Sequence, residues 1–285
     1  MLPRRLPLLA ALPLLLAGCR APCAATDALC LVAEDLPEAL LSARAAAQDD
    51  VWVVGSEADP GVSGPTAASW DGAAWTRLDT SDFAGDELWW VHPTAAEVTL
   101  VGSRGLILHY DRATEALTRV PGPDPAITFF GVWGAGEDRW VVGGDISGAL
   151  PPEIWRRTAG VWSRFVDAVA GEGPAGQIYF KVHGTAADDV WIVGSQGAAL
   201  HWDGSALTPT VTDTDIDTAN APIVSIEASG PEPIVAGGSG SALLLRWDGA
   251  VWRDETPEFI PPLNGVCSDG TRQFAVGQQG TLLTR

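Results

Sequence analysis

Asp49-Asp50-Val51-Trp52-Val53-Val54-Gly55, continued by Ser69-Trp70-Asp71-Gly72 and Trp75, returns later in the chain as Asp188-Asp189-Val190-Trp191-Ile192-Val193-Gly194 with His201-Trp202-Asp203-Gly204. The unit is an acidic pair, an apolar strand ending in glycine, a second strand and a Trp-Asp-Gly turn. Self-similarity at a period of roughly 20 to 50 residues marks solenoids, propellers or arrays. Working outward, the strand ending in glycine recurs at Leu100-Val101-Gly102, Val141-Val142-Gly143, Val235-Ala236-Gly237 and Ala275-Val276-Gly277, which makes six copies. Before each copy lies a short strand with an aliphatic centre: Ser42-Ala43-Arg44, Trp90-Val91-His92, Gly131-Val132-Trp133, Lys181-Val182-His183, Ser225-Ile226-Glu227 and Gly265-Val266-Cys267. A third strand follows over Ala67–Trp70, Leu106–Tyr110, Glu153–Arg156, Ala198–Trp202, Leu243–Trp247 and Thr281–Thr284, and a fourth starts at Trp75, Leu117, Trp162, Leu207 and Trp252.

Four short β-rich strands per repeat, with helix-period patterning nearly absent, predict an all-β chain folded as a six-bladed β-propeller. The sixth copy has no fourth strand before Arg285. An open outer edge is a liability in water. Leu29-Cys30-Leu31-Val32-Ala33 lies just ahead of the first blade and is expected to supply that strand, closing the ring by N-terminal strand exchange. Asp followed by Gly suits the tight hairpin turns that need positive backbone dihedrals. The tryptophans beside those turns are expected to wedge between blades. An upstream Gly-His, which a WD40 repeat requires, is missing.

The chain begins Met1-Leu2-Pro3-Arg4-Arg5, then runs apolar from Leu6 to Ala17 and ends that run in Leu16-Ala17-Gly18-Cys19. A basic start, a short apolar core and small residues describe a secretory signal too short to span a bilayer stably. Leu-Ala-Gly-Cys resembles the lipobox of bacterial lipoproteins, which implies cleavage before Cys19, lipidation of its thiol, and membrane anchoring without a spanning segment. Arg20 at the next position, in place of an aspartate, implies sorting to the outer membrane. The expected organisation is therefore a signal peptide over 1–18, a lipidated tether over 19–28 and a propeller over 29–285.

The formal charge of −19 becomes −21 once Arg4 and Arg5 leave with the signal. So acidic a surface argues against nucleic acid or anionic headgroups as ligands. Beyond Cys19, three cysteines remain. Cys23 can pair with Cys30 within the tether, or Cys30 with Cys267, stapling the chain ends. No Cys-x-x-Cys pair or His/Cys cluster gives metal-site spacing.

Where Gly105-Leu106-Ile107-Leu108-His109-Tyr110-Asp111 and Gly197-Ala198-Ala199-Leu200-His201-Trp202-Asp203-Gly204 follow Val-Gly, the chain resembles the repeats of bacterial surface lipoproteins and of the photosystem II assembly factor type of propeller. The likeness covers roughly residues 40 to 285. It implies a protein-binding platform and carries no catalytic residue across. The arginine-rich surface of the assembly factors is not matched by this acidic chain.

Innermost strands line a propeller's axis, and alternation sends every second side chain the same way. With Ala43, Val91, Val132, Val182, Ile226 and Val266 packed between blades, Arg44, His92, Trp133, His183, Glu227 and Cys267 converge on the axis, and Ser42, Trp90, Gly131, Lys181, Ser225 and Gly265 share their phase two residues earlier. The channel-mouth ligand site is thus assigned to Arg44, His92, Trp133, Lys181, His183 and Glu227. Such a ring can grip an anionic or zwitterionic ligand, hold a metal through two histidines and a glutamate, or be a water-filled channel. His109 and His201 occupy a position filled by Ser69 and Arg246 in sister blades, which argues against a shared ligand role. Asp213, Asp215 and Asp217 form an alternating acidic run, but Thr218 and Val224 stand where a calcium loop needs glycine and glutamate.

Nucleophile-elbow, P-loop and dinucleotide fingerprints are missing. Sialidase-like propellers use an arginine triad, a tyrosine nucleophile and Asp-box turns, and Tyr110 and Tyr179, the two tyrosines here, stand in no such context. The expectation is a non-enzymatic lipoprotein needing no cofactor: a monomeric propeller binding or scaffold module of the cell envelope, periplasmic or surface-exposed. Its contacts with an envelope protein or glycan would run through the loops Glu57 to Pro65, Asp145 to Pro152 and Ala168 to Gly176. The alternative is an envelope polysaccharide hydrolase or lyase working at the channel mouth, which needs two inward carboxylates.

Overall fold

Each repeat folds into a small antiparallel sheet because its apolar residues run at strand length between Gly- and Asp-rich turns. In the computed structural model, which describes residues 36–213 and 221–285, six such sheets form a six-bladed β-propeller. Blade 1 comprises β1 (Leu40–Ala47), β2 (Asp50–Glu57), β3 (Pro65–Trp70) and β4 (Trp75–Arg77). Blade 2 holds β5 (Leu88–Pro93), β6 (Glu97–Gly102), β7 (Ile107–Asp111) and β8 (Ala116–Arg119), and blade 3 holds β9 (Ile127–Ala135), β10 (Asp138–Asp145), β11 (Glu153–Thr158) and β12 (Val161–Phe165). Blade 4 runs β13 (Tyr179–Ala186), β14 (Asp189–Gly194), β15 (Ala199–Trp202), β16 (Leu207–Pro209). Blade 5 is built on β18 (Ile223–Glu227), β19 (Ile234–Gly237), β20 (Leu243–Trp247) and β21 (Trp252–Asp254), and blade 6 on β22 (Leu263–Ser268), β23 (Gln273–Gly277) and β24 (Leu282–Thr284).

One departure from the expected plan stands out. Blade 5 gains a fifth strand, β17 (Thr212–Asp213), pairing parallel with β21 through Thr212↔Trp252 and Asp213↔Arg253. Asp213 therefore ends a two-residue strand, while Asp215 and Asp217 lie outside the described residues. Blade 6 is three-stranded among the described residues, as the sequence predicts. The segment Leu29 to Ala33 proposed to complete it lies outside them, as do the signal peptide, Cys19, Cys23 and Cys30.

The core is divided into five seams between successive blades. One seam, for example, sets Trp133, Trp140 and Val142 of blade 3 against Val182, Ile192, Leu200 and Trp202 of blade 4, and another sets Trp191 and Val193 against Val235, Leu245 and Trp252. Second strands meet seams on both sides, so β6 is buried at every position. As expected, most of the thirteen tryptophans are wedges: Trp52, Trp133, Trp140, Trp155, Trp191, Trp202 and Trp252 are buried in the seams. At the two ends of the blade series the packing thins, and Leu40, Leu41, Val276 and Leu282 are exposed.

The repeated Val-Gly has one physical cause. Every innermost strand carries a β-bulge near its start, leaving Leu41, Trp89, Phe130, Phe180, Val224 and Asn264 as the extra residues. Opposite the bulge, the backbone carbonyl preceding it presses on the glycine of the second strand. A Cβ on Gly102 would sit 1.8 Å from the Glu87 oxygen, and one on Gly55 1.9 Å from the Ala39 oxygen. The same carbonyls accept hydrogen bonds from the following amides, Ser103 at 3.0 Å and Ser56 at 2.9 Å. Glycine is needed here for closeness of approach, with an ordinary backbone angle.

Five hairpins share a second device. The carboxylate of Asp71 accepts the amides of Ala73 and Ala74, Asp111 those of Ala113 and Thr114, Asp203 those of Ser205 and Ala206, Asp248 those of Ala250 and Val251, and Asp269 those of Thr271 and Arg272. These are Asx turns, and hydrogen bonds hold each of the five carboxyls below the usual carboxylate range: from the Ser205 hydroxyl and then the backbone at Asp203, and from the backbone amides first at the other four.

Candidate functional site

Because strands alternate in direction, each blade sends its first-to-second and third-to-fourth connections to one face and its remaining connections to the other. The first face carries the acidic and Asp-Gly turns. The opposite, loop face carries Glu57 to Pro65, Asp145 to Pro152 and Ala168 to Gly176. These loops are tied internally: Glu57 accepts the amides of Gly61 and Gly85, and Asp145 accepts those of Ser147, Ala149 and Leu150. Each still exposes one large aliphatic residue, Val62, Ile146 and Val169, and Phe259 in the β21–β22 connection is 100% exposed at a left-handed φ of 61°. That conformation is costly for a bulky side chain.

Along the axis the predicted phase holds. Val91, Val132, Val182 and Ile226 are buried between blades; Ala43 is exposed and Val266 half-buried, a correction at the two ends of the blade series. Lys181 of blade 4 reaches Trp90 of blade 2, its Nζ 3.5 Å from the ring centroid, and donates a hydrogen bond of 2.8 Å to the Phe130 carbonyl of blade 3. Arg44 of blade 1 stands 5.6 Å from the same ring. Gly131 makes this crossing possible, since a Cβ there would lie 3.0 Å from the Lys181 Cα. Two cations thus share one indole, a cation–π arrangement.

His183 packs against Trp133, ring centroids 6.0 Å apart, and its Nδ1 accepts the Ala228 amide at 3.2 Å, which leaves its proton on Nε2. Burial, followed by Arg139, Arg44 and His183, lowers the His92 pKa to about 3, and burial likewise lowers His183. Burial, then Arg44, lowers Lys181 to about 7. Arg44 is lowered by burial and supported by Glu227 and Cys267. The structure therefore brings Arg44, His92, Lys181, His183 and Glu227 together on the axis, whereas Trp133, expected with them, is buried in the seam between blades 3 and 4, where its large ring packs against blade 4. Among the described residues, no three histidine, cysteine or carboxylate groups come together to hold a metal, so the two-histidine, one-glutamate reading fails. Glu227 is the one acid on the six innermost strands.

Sequence reasoning missed the bulge residues. Trp89, Phe130 and Phe180 form an arc from blade to blade, with centroids 5.2 and 5.8 Å apart, beside the Phe130 carbonyl that holds Lys181. The available signal was the break in alternation at Trp89-Trp90, Phe129-Phe130 and Tyr179-Phe180. Buried polar atoms without a partner among the described residues include Ser42 Oγ, Trp89 Nε1 and His92 Nε2, all on innermost strands. Such atoms are rare in folded proteins and call for a ligand or water.

The remaining candidates are structural. His201 stacks on Trp191 at 4.0 Å and pairs with Asp189 at 2.7 Å, and His109 lies 3.5 Å from Glu97. Glu97 also bridges Arg157 at 2.6 Å and the buried Arg139 at 2.8 Å, pinning blade 2 to blade 3. A cleft of about 330 Å³ between blades 5 and 6 is lined by Glu227, Glu232, Arg246 and Gln273, but Arg246 is already bound to Glu255 at 2.7 and 2.8 Å.

No protein-family model and no curated sequence matches the chain. Its likeness to solved structures is one of fold. The computationally designed Ika8 protein aligns with a TM-score of 0.61 at 12% identity over 87% of this chain and 71% of that one. YCF48 from Cyanidioschyzon merolae, a propeller of the photosystem II assembly factor type, aligns at 0.56 with 16% identity, over 83% and 76%. U3-55K aligns at 0.58 with 9% identity, over 84% and 74%.

Proposed function

We propose that the chain is a non-enzymatic binding or scaffold module of the cell envelope, a propeller held at the outer membrane by lipid on Cys19 and docking an envelope protein or glycan. The observation that carries this reading is the loop face, which presents Val62, Ile146, Val169 and Phe259 to solvent, the first two on loops pinned by the Glu57 and Asp145 carboxylates. Exposed apolar side chains on a rigid scaffold are what an interaction surface needs. The alternative, a polysaccharide hydrolase or lyase, requires a second carboxylate near Glu227. The innermost strands supply none, and Glu232, which lines the same cleft as Glu227, is paired with Arg246 at 3.5 Å.

Two experiments test the reading separately. Growth with a clickable palmitate analogue should label the wild-type chain in the outer-membrane fraction and leave Cys19→Ser unlabelled; an unlabelled wild-type chain refutes the anchor. In-cell crosslinking should give a discrete partner that is lost when Val62, Ile146, Val169 and Phe259 are replaced by serine. A partner retained by that variant refutes the loop face.

A further inference from the structure

The axis holds more donors than acceptors. Lys181 is the chain's only lysine, and in a protein of net charge −19 it sits with Arg44 where neither has a carboxylate within ion-pairing distance among the described residues. Its ammonium spends one donor on the Phe130 carbonyl. Ser42 Oγ and Trp89 Nε1 add buried donors, and His92 Nε2 a buried ring nitrogen, that have no partner among the described residues. Charge counting narrows what would fit. Arg44 and protonated Lys181 bring two positive charges, Glu227 returns one negative, and the histidines are held neutral by burial. One negative charge balances the set. The arc of Trp89, Phe130 and Phe180 beside Lys181 then offers half-buried aromatic surface to whatever is attached to that charge.

We propose that the axial site bounded by Arg44, Lys181, Trp90 and the Trp89–Phe130–Phe180 arc binds a small monocarboxylate carrying an apolar or aromatic tail. The carboxylate lies between the guanidinium and the ammonium, and the tail lies on the arc. This deepens the reading as a binding module and rests on it, but it does not depend on the lipid anchor or the loop face. Binding draws a proton onto Lys181, so affinity falls as pH rises above neutrality. The groups facing Lys181 and Arg44 from neighbouring strands are His92, His183, Glu227 and Cys267, and burial holds the two histidines below their ordinary range, away from the span in which Lys181 titrates.

The single lysine makes the test direct. The full chain is acetylated with an amine-reactive ester at pH 7.5, and the Lys181 peptide is followed by mass spectrometry, which separates it from the terminal amine. Phenylacetate at ten times its half-effect concentration should slow acetylation about tenfold, because only unliganded protein reacts. Benzyl alcohol and inorganic phosphate should each protect far less. Arg44→Gln, checked for an unchanged far-UV spectrum and melting transition, should need several-fold more phenylacetate. Absence of protection by millimolar phenylacetate overturns the site. Equal protection by phosphate overturns the tail, equal protection by benzyl alcohol overturns the carboxylate, and protection only by longer peptides ending in a carboxylate replaces the small acid with a macromolecular partner.

Discussion

Raising the pH across neutrality should switch Lys181 from ammonium to amine more than three units before an ordinary lysine. Burial and Arg44 lower its pKa from 10.5 to about 7. At pH 7 the free-amine fraction is then about one half, against roughly 1 in 3,000 for an unshifted lysine. Acetylation rates between pH 5 and 11, read at the Lys181 peptide, should reach half their plateau near pH 7. Stability must follow by linkage. Between about pH 7 and 10.5 the unfolded chain keeps a proton the folded chain has released, so unfolding free energy rises with pH there, by up to about 1.4 kcal/mol per pH unit from this group. Below pH 7 both states are protonated and the buried charge is a constant cost. Urea unfolding of wild type and Lys181→Met at pH 6, 7, 8 and 9 should show the variant's advantage shrinking as pH rises. Acetylation with a midpoint near 10, together with parallel stability profiles, would refute the argument that burial governs this amine.

Glu97→Gln removes the anion shared by Arg139 and Arg157 and leaves the buried Arg139 uncompensated; urea unfolding should show a loss of about 3–5 kcal/mol, and a loss under about 1 kcal/mol would mean the pin between blades 2 and 3 is slack. Gly102→Ala drives a Cβ to 1.8 Å from the Glu87 carbonyl; the cost should be about 3 kcal/mol or more, and an unchanged melting temperature would contradict the close-approach account of the Val-Gly repeat. His92, lowered to about 3 by burial and then Arg139, should keep neutral-imidazole NMR shifts down to about pH 4 while the unfolded chain protonates near 6.5, so stability should fall as pH drops below 6.5. A native-state midpoint near 6 would show the ring to be hydrated.

The blade count and axial phase were legible because strand alternation has a period of two and each Val-Gly marks the same position in its blade. Alternation placed Val91, Val132, Val182 and Ile226 between blades and turned His92, His183 and Glu227 inward. It failed at Trp89, Phe130 and Phe180, since a bulge inserts one residue and re-aims the side chains around it. The sharing of Trp90 by Arg44 and Lys181 was hidden for another reason: it depends on how near blades 1, 2 and 4 approach across the axis, which no local pattern encodes. The Glu97 network spans 60 residues of sequence to Arg157 and lies on the next blade. Strand β17 has only two residues, too short for any periodicity.

The five aspartates that fasten the hairpins separate shape from charge. Asn presents the same acceptor oxygen to the same pair of amides, so exchange at Asp71, Asp111, Asp203, Asp248 and Asp269 would preserve each reversal while moving the net charge from −19 to −14. Surface potential in this protein is thus a dial that evolution or an engineer can turn at fixed architecture, and a descendant facing an acidic partner could arise through single-base changes without a blade being redrawn.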